Sequence, residues 1–279
     1  MNTKQDYIAV FDSGVGGLSV LRHLRRLMPG ERYVYFGDSA NAPYGSRPTE
    51  QVRQLTLDAV QQLRQHYALK ALVIACNTAT AAAIAQLRQT YPQLIIVGIE
   101  PALKLARDRF PTGRIGVMAT EVTLREEKFD DLLHRFGGSS PVVKIPAPGL
   151  VELVEEGKTH SPQMDALLRP LLSPYRGQLD ALVLGCTHYP FAAEAIGQIL
   201  GPEVALLEGG EGTAAETRRR LMQADLLENG PGEIILTNSA QNPKLLELSW
   251  ALLGAGRELW KITFWSLALP AAPAAARPP

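Results

Sequence analysis

The chain has 279 residues, of which 46% are apolar and 20% charged, a composition ordinary for a soluble globular protein with room for one large domain or two smaller ones. Its 28 Lys and Arg residues balance its 28 Asp and Glu residues, so no net field favours nucleic acid or an anionic membrane as a partner. No apolar run approaches membrane-spanning length, and the start lacks the pattern of a signal peptide. With only two cysteines, this predicts reduced thiols in the cytoplasm.

Strand-like and helix-like segments alternate along the first hundred residues. The predicted strands are residues 7–11, 32–36, 71–75 and 94–99, and the predicted helices are residues 18–27, 49–66 and 77–89. A glycine-rich turn at residues 12–17 and a polar loop at residues 41–47 lie between them. Alternation of this kind predicts βαβ units and largely parallel sheets.

The same pattern then begins again. Residues 114–118 (R-I-G-V-M) resemble residues 7–11 (Y-I-A-V-F), and a helix at residues 191–200 and a strand at residues 204–207 follow later. The two cysteines lie 110 residues apart, and the two isoleucines Ile8 and Ile115 lie 107 apart. Two features at nearly one offset indicate an internal duplication. We therefore predict an α/β fold of two similar, mainly parallel domains, related by a pseudo-twofold axis, with the active site at their interface.

The two cysteines occupy matched contexts, K-A-L-V-I-A-C-N-T around Cys76 and D-A-L-V-L-G-C-T-H around Cys186. Each follows an apolar run typical of a buried strand, and ligands in α/β folds bind at the carboxyl ends of strands. Two thiols on opposite faces of one carbon suggest an acid/base pair that removes a proton from one side and returns it on the other. Two inert buried cysteines would leave the matched contexts unexplained.

Short polar residues follow both cysteines. Asn77 and Thr78 supply donors for a carboxylate at a predicted helix start, and Thr187 and His188 follow Cys186. His188 would tune the thiol or bind a substrate carboxylate. A helix N-terminus favours a thiolate, whereas burial disfavours it, and the sequence does not decide between them.

The glycine-rich turn D-S-G-V-G-G at residues 12–17 exposes backbone N–H groups suited to an anion. Asp12 adds a carboxylate for a substrate ammonium or for assisting a thiol.

A nucleotide-binding oxidoreductase stays an alternative, because Gly14-x-Gly16 begins a dinucleotide fingerprint and Asp38 stands near the place of its ribose-binding acid. Ser19 departs from that fingerprint. A non-catalytic two-lobed amino-acid-binding module is a third alternative, and no metal site is expected.

Four stretches occur in order: F-D-S-G-V-G-G-L at residues 11–18, Y-F-G-D-S-A-N-A-P-Y-G at 35–45, A-C-N-T-A-T at 75–80 and L-G-C-T-H-Y-P at 184–190. Together they resemble the glutamate racemase family, cofactor-independent enzymes that supply D-glutamate for bacterial peptidoglycan. The resemblance implies two α/β domains with the substrate between them, one formed by residues 1–98 and 210–268 and the other by the inserted residues 99–209. Residues 269–279, rich in Pro and Ala, are predicted to be a disordered tail.

The resemblance also implies roles for individual residues. Cys76 would act on the D-isomer and Cys186 on the L-isomer, with Asp12 and His188 assisting the thiols and Glu152 lying near the second. The residues that match substrate contacts are Asp12, Ser13, Tyr44, Gly45, Asn77, Thr78, Thr187 and His188. Racemisation of aspartate or another amino acid is an alternative. No cofactor is implied, the partner is the small-molecule substrate glutamate, and a homodimer stays open.

Overall fold

The structure, a computed structural model, describes residues 2–125, 127–136, 142–240 and 242–254. The predicted tail at residues 269–279 and the part of the predicted first domain at residues 255–268 lie outside the described residues. The described strands are β1 (Tyr7–Asp12), β2 (Arg32–Gly37), β3 (Leu69–Ile74), β4 (Ile95–Gly98), β5 (Ile115–Ala119), β6 (Val142–Pro146), β7 (Ala181–Leu184), β8 (Ala205–Glu208) and β9 (Glu233–Asn238).

Helices connect these strands throughout the described chain. They are α1 (Leu18–Leu27), α2 (Thr49–His66), α3 (Asn77–Thr90), α4 (Leu103–Arg109), α5 (Glu121–Arg125), α6 (Glu127–Phe136), α7 (Leu150–Glu155), α8 (Pro162–Leu172), α9 (Ala193–Leu200), α10 (Gly210–Gln223) and α11 (Pro243–Leu253). The predicted helices at residues 18–27 and 49–66 are confirmed without a shift, and the predicted strands are confirmed within two residues. A helix at residues 191–200 was predicted, but α9 begins at Ala193 and a 3-10 turn, Tyr189–Ala192, precedes it.

Two parallel sheets form the frame. The first has the order β4-β3-β1-β2-β9 and the second β6-β5-β7-β8, with every described strand pair parallel. Read from the other edge, the second sheet is β8-β7-β5-β6, which repeats the order β4-β3-β1-β2. The two halves therefore share one topology, as the internal duplication predicts. We call the units around the first and second sheets unit 1 and unit 2. The chain returns to unit 1 at β9, which pairs with β2.

Both faces of each sheet are covered, and side-chain alternation divides the core. In β1, Ile8 and Val10 point into one cluster while Ala9 and Phe11 point into another on the opposite face. The cluster that holds Ile8 and Val10 also contains Leu182 and Leu184 of β7. One continuous apolar core thus joins the inner faces of the two sheets and holds their strand ends in a fixed relation.

A buried ion pair ties three segments of unit 1 together. The side chains of Lys70 on β3 and Glu31 before β2 are both 0% exposed, with Nζ and Oε2 separated by 2.5 Å. Lys70 also donates to the carbonyls of Lys4 and Leu226, and Glu31 Oε1 accepts from the N–H of Glu228 at 2.8 Å. The charges are therefore satisfied within the protein, as buried charges must be.

Among the described residues, no helix combines the length and the apolar character needed to cross a bilayer.

Candidate active site

A cavity of about 340 Å³ lies between the units, at the carboxyl ends of β3 and β7. Both thiols line it, and no disulfide joins them. Of the predicted site residues, those that line the cavity are Ser13, Tyr44, Gly45, Cys76, Asn77, Thr78, Glu152, Cys186, Thr187 and His188. The duplicated topology therefore places the two matched cysteines on one space, one from each unit.

A second cavity, of about 280 Å³, lies on the far side of Asn77 and Thr78 and extends over Phe129 and Leu132 of α6. It shares Asn77, Thr78 and Thr123 with the first cavity, but neither thiol lines it. We place the candidate site in the first cavity because the reactive groups converge there.

Cys76 stands at the N-cap of α3, as the predicted strand-to-helix junction requires. Its Sγ accepts from the N–H of Ala79 at 3.4 Å and lies 3.5 Å from the hydroxyl of Ser13. Only 6% of Cys76 is exposed. The N-terminus of the helix lowers the pKa of the Cys76 thiol, whereas burial raises it.

At Cys76 the effect of burial on the thiol pKa is larger than that of the helix N-terminus. Desolvation, followed by the negative charge of Asp12, raises the pKa of the Cys76 thiol to about 11, although hydrogen bonds from Ser13 and Ala79 oppose the shift. The charge of Cys186, the other cysteine on this cavity, makes a smaller contribution in the same direction. Cys76 is therefore a neutral thiol near pH 7, the form that donates a proton.

Cys186 has a different local setting. The chain continues from it through two turn residues into the 3-10 turn, with the N–H of Tyr189 bonded to the carbonyl of Cys186. Unlike Cys76, Cys186 therefore does not stand at the N-cap of an α-helix. Its partner is instead His188, whose Nδ1 lies 3.7 Å from Sγ.

His188 bridges Cys186 to a carboxylate. Its Nε2 lies 2.6 Å from Oε1 of Glu155 on α7, and its side chain is 4% exposed. Burial by itself lowers the pKa of His188, but hydrogen bonds to Cys186 and Glu155 and the charges of the same two groups outweigh it, and the pKa lies well above its ordinary value. A protonated imidazole therefore lies beside the Cys186 sulfur.

Glu155 is the functional residue that sequence reasoning missed. The segment V-E-L-V-E-E-G offers three glutamates, and Glu152 and Glu155 are three positions apart, so both lie on one side of a helix. In the structure Glu152 lines the cavity, while Glu155 contacts His188. The i, i+3 spacing shows that two carboxylates share a helix face, but it does not say which one meets the imidazole.

The glycine-rich turn is shaped around Glu155. The N–H of Val15 donates to Oε1 of Glu155 at 2.7 Å. A Cβ atom at Gly14 would lie 1.9 Å from the same oxygen, so a side chain there would displace the carboxylate. The anion held by this turn is a carboxylate of the protein itself.

Asp12 lies behind the cavity wall. It is 0% exposed and accepts from the N–H of Gly14 at 2.9 Å and from the hydroxyl of Thr187 at 3.0 Å. Burial raises the pKa of Asp12, against the charge of His188 and these hydrogen bonds. Asp12 therefore links unit 1 to Thr187 in unit 2 and acts on Cys76 through its charge, and it is not among the residues that line the cavity.

Asp38 is engaged inside unit 1. The hydroxyl of Tyr44 donates to its Oδ2 at 2.6 Å, and the Asn41 amide lies 3.1 Å from both carboxylate oxygens. Asp38 thereby orients Tyr44, which lines the cavity.

No group of three or more His, Cys, Asp or Glu side chains suited to a metal ion occurs in the part of the chain that the structure describes.

Comparisons with known proteins show which family the sequence is similar to. Residues 14–236 match the family model described as Asp/Glu/Hydantoin racemase. A glutamate racemase of Clostridium botulinum is 44% identical over 256 residues, 91% of this chain and 99% of that protein.

Solved structures show the same likeness. A glutamate racemase isoform of Bacillus anthracis superposes with a TM-score of 0.82 at 29% identity, covering 96% of this chain and 100% of that one. An Escherichia coli glutamate racemase, solved with L-glutamate and the activator UDP-MurNAc-Ala, gives 0.80 at 30% identity, covering 93% of this chain and 97% of that one.

Proposed function

The chain belongs to the Asp/Glu/hydantoin racemase family, and we propose that it interconverts L- and D-glutamate without a cofactor, using Cys76 and Cys186 as the two acid/base groups. One observation carries the proposal: two thiols from equivalent strand ends of duplicated units line a single cavity. The identity to glutamate racemases over most of the chain supports glutamate over aspartate as the substrate. The D-glutamate formed would serve peptidoglycan synthesis.

In the L-to-D direction the thiolate of Cys186 removes the α-proton, and the electron pair of the C–H bond stays on the α-carbon. The neutral thiol of Cys76 then donates its proton to the opposite face, which inverts the centre and leaves Cys76 as the thiolate. The reverse reaction exchanges the two roles. The pKa of about 11 at Cys76 and the Cys186–His188 contact support a resting enzyme poised for the L-isomer.

The carbanion needs stabilisation because an amino-acid α-proton is a very weak acid. Ser13, Asn77 and Thr78 are short donors that line the cavity, and Thr187 lines it as well, although its hydroxyl donates to Asp12. Fixed donors directed at the α-carboxylate, in a site shielded from water, stabilise the charge that develops in the transition state. These residues are the ones we assign to substrate binding, with Tyr44 and Gly45 on the loop beside them.

The oxidoreductase alternative conflicts with two contacts. The glycine-rich turn that would hold a pyrophosphate binds the Glu155 carboxylate, and the acid that would hold a ribose is bonded to Tyr44. A non-catalytic binding module would not require a thiol, an imidazole and a carboxylate in successive contact, as Cys186, His188 and Glu155 are.

The test is proton exchange coupled to inversion. With L-glutamate in deuterium oxide, we expect D-glutamate to appear with deuterium at the α-carbon, because the acid thiol carries a solvent-derived hydrogen. Circular dichroism follows inversion and mass spectrometry follows deuterium. Inversion with full retention of the original α-hydrogen would contradict the two-base scheme, and absence of inversion for any acidic amino acid would contradict the proposed function.

A second prediction concerns the pH dependence of Cys76. A raised pKa means that the thiol persists at neutral pH and that the thiolate fraction grows as pH rises towards about 11. In a Cys186→Ser variant, which keeps one thiol, the rate of Cys76 alkylation by iodoacetamide should rise about tenfold per pH unit beyond pH ~9, whereas an ordinary thiol levels off near pH ~8.5. Mass spectrometry of the modified peptide measures the rate. A plateau near pH ~8.5 would contradict the burial argument.

A further inference from the structure

The Glu155 carboxylate belongs to unit 2, yet unit 1 supplies two of its hydrogen bonds. Oε1 accepts from the N–H of Val15 at 2.7 Å and contacts His188 at 2.6 Å. Oε2 accepts from the hydroxyl of Ser39, which follows β2, at 3.4 Å. Both oxygens of the group that holds His188 are thus held in turn by the neighbouring unit.

Ser39 has a single hydroxyl hydrogen, and its direction depends on Asn238. The side-chain N–H of Asn238, at the end of β9, donates to Ser39 Oγ at 2.9 Å. The amide oxygen of Asn238 accepts from the N–H of Ala240 at 2.8 Å, so its N–H₂ group faces Ser39. With its oxygen accepting from Asn238, the hydroxyl of Ser39 directs its hydrogen to Glu155.

The chain of contacts keeps Glu155 ionised. Burial favours the protonated form, but the hydrogen bond and charge of His188, the N–H of Val15 and the hydroxyl of Ser39 outweigh it and lower the pKa of Glu155. An ionised, oriented carboxylate in turn stabilises the protonated His188 beside Cys186. Linked hydrogen bonds in a buried setting reinforce one another.

We propose that Ser39 and Asn238 are positioning residues that hold the Glu155 carboxylate against His188, so that the Cys186–His188–Glu155 arrangement of unit 2 is completed by unit 1. Asn238 is 7% exposed and lies in the last position of an edge strand that returns from the C-terminal part of the chain. The return of the chain to unit 1 after β8 thereby contributes directly to the site.

The effect on turnover rests on the proposed racemase function, but the effect on His188 does not. The decisive readout is therefore the pKa of His188 in the resting protein, measured by nitrogen NMR on protein labelled at its five histidines, with the His188→Asn spectrum as the assignment. In Ser39→Ala and in Asn238→Ala we expect this pKa to fall by about one unit, the shift that corresponds to a tenfold weaker hold on the imidazolium. The value of kcat/KM on the alkaline side should fall about tenfold as well, since the imidazolium is lost at lower pH.

Three variants separate positioning from general packing. Ser39→Thr keeps the hydroxyl and should restore the His188 pKa. Asn238→Leu keeps the size of the side chain without a charge but cannot donate to Ser39, so the pKa should fall as it does in Asn238→Ala. Ser239→Ala removes a neighbouring 3.0 Å hydrogen bond from the N–H of Ala40 without touching Ser39 or Glu155, and it should leave the pKa unchanged.

An unchanged His188 pKa in both Ser39→Ala and Asn238→Ala would overturn the proposal, as would an equal fall in Ser239→Ala. If the pKa falls as expected while wild-type protein fails to invert glutamate, the positioning role stands and the proposed function fails.

Discussion

Cys76→Ala and Cys186→Ala should each slow the interconversion of L- and D-glutamate by roughly a hundred- to ten-thousandfold, the contribution of a positioned acid or base. Each variant removes one of the two groups that handle the α-hydrogen, and each direction of the reaction uses both groups, so both directions should slow. The interconversion rate is followed by circular dichroism starting from either isomer.

Thermodynamics supplies an internal control for these variants. The isomers have equal free energies in water, so kcat/KM must be the same in both directions for every variant, whichever thiol is missing. The double variant should be no slower than the slower single one, because the two thiols act as one unit. Full activity in either single variant would contradict the two-base proposal. Full activity in the double variant would show that neither thiol takes part in the reaction.

The second large effect concerns stability and lies away from the cavity. Lys70→Ala should lower the free energy of unfolding by about 3–5 kcal/mol, because it leaves the fully buried Glu31 carboxylate without its counter-charge. The two carbonyls that accept from Lys70, of Lys4 and Leu226, would also lose their partner. Urea denaturation measures the change.

An exposed ion pair provides the matched control. Lys104 and Asp108 on α4 are separated by 2.7 Å, but their side chains are 65% and 60% exposed. Lys104→Ala should therefore cost about 0–1 kcal/mol. Losses of similar size in the two variants would show that burial does not decide the strength of the Lys70–Glu31 pair.

The strand and helix order around the site could be predicted from the sequence, because it depends on local patterns and their repetition. Apolar runs and helical spacing predicted the alternating elements, and the near-equal offsets of Cys76/Cys186 and Ile8/Ile115 predicted the repeated strand order. Once the order is repeated, equivalent strand ends carry equivalent residues. The convergence of the two thiols on one cavity follows from that, with Asn77, Thr78, Thr187 and His188 brought along as their chain neighbours.

The pKa of Cys76 and the position of Asp12 could not be predicted from the sequence in the same way. At Cys76 the helix terminus and burial oppose each other, and the balance depends on how much water the surrounding atoms exclude and on the charge of Asp12. Asp12 itself lies behind the wall and not on the cavity, since Gly14 and Thr187 hold it there. Both outcomes depend on atoms distant in the chain.

Sequence by itself thus determined the strand and helix order, the duplication and the pair of strand-end thiols, because periodicity, glycine-rich turns and internal repeats are properties of neighbouring residues. Only the tertiary structure decided that Glu155 meets His188 while Glu152 faces the cavity, and that Ser39 and Asn238 reach Glu155 from the other unit. Hydrogen bonds and desolvation act over a few ångströms in space. Ser39 meets Glu155, 116 positions away, and Asn238, 199 positions away, only once the chain has folded.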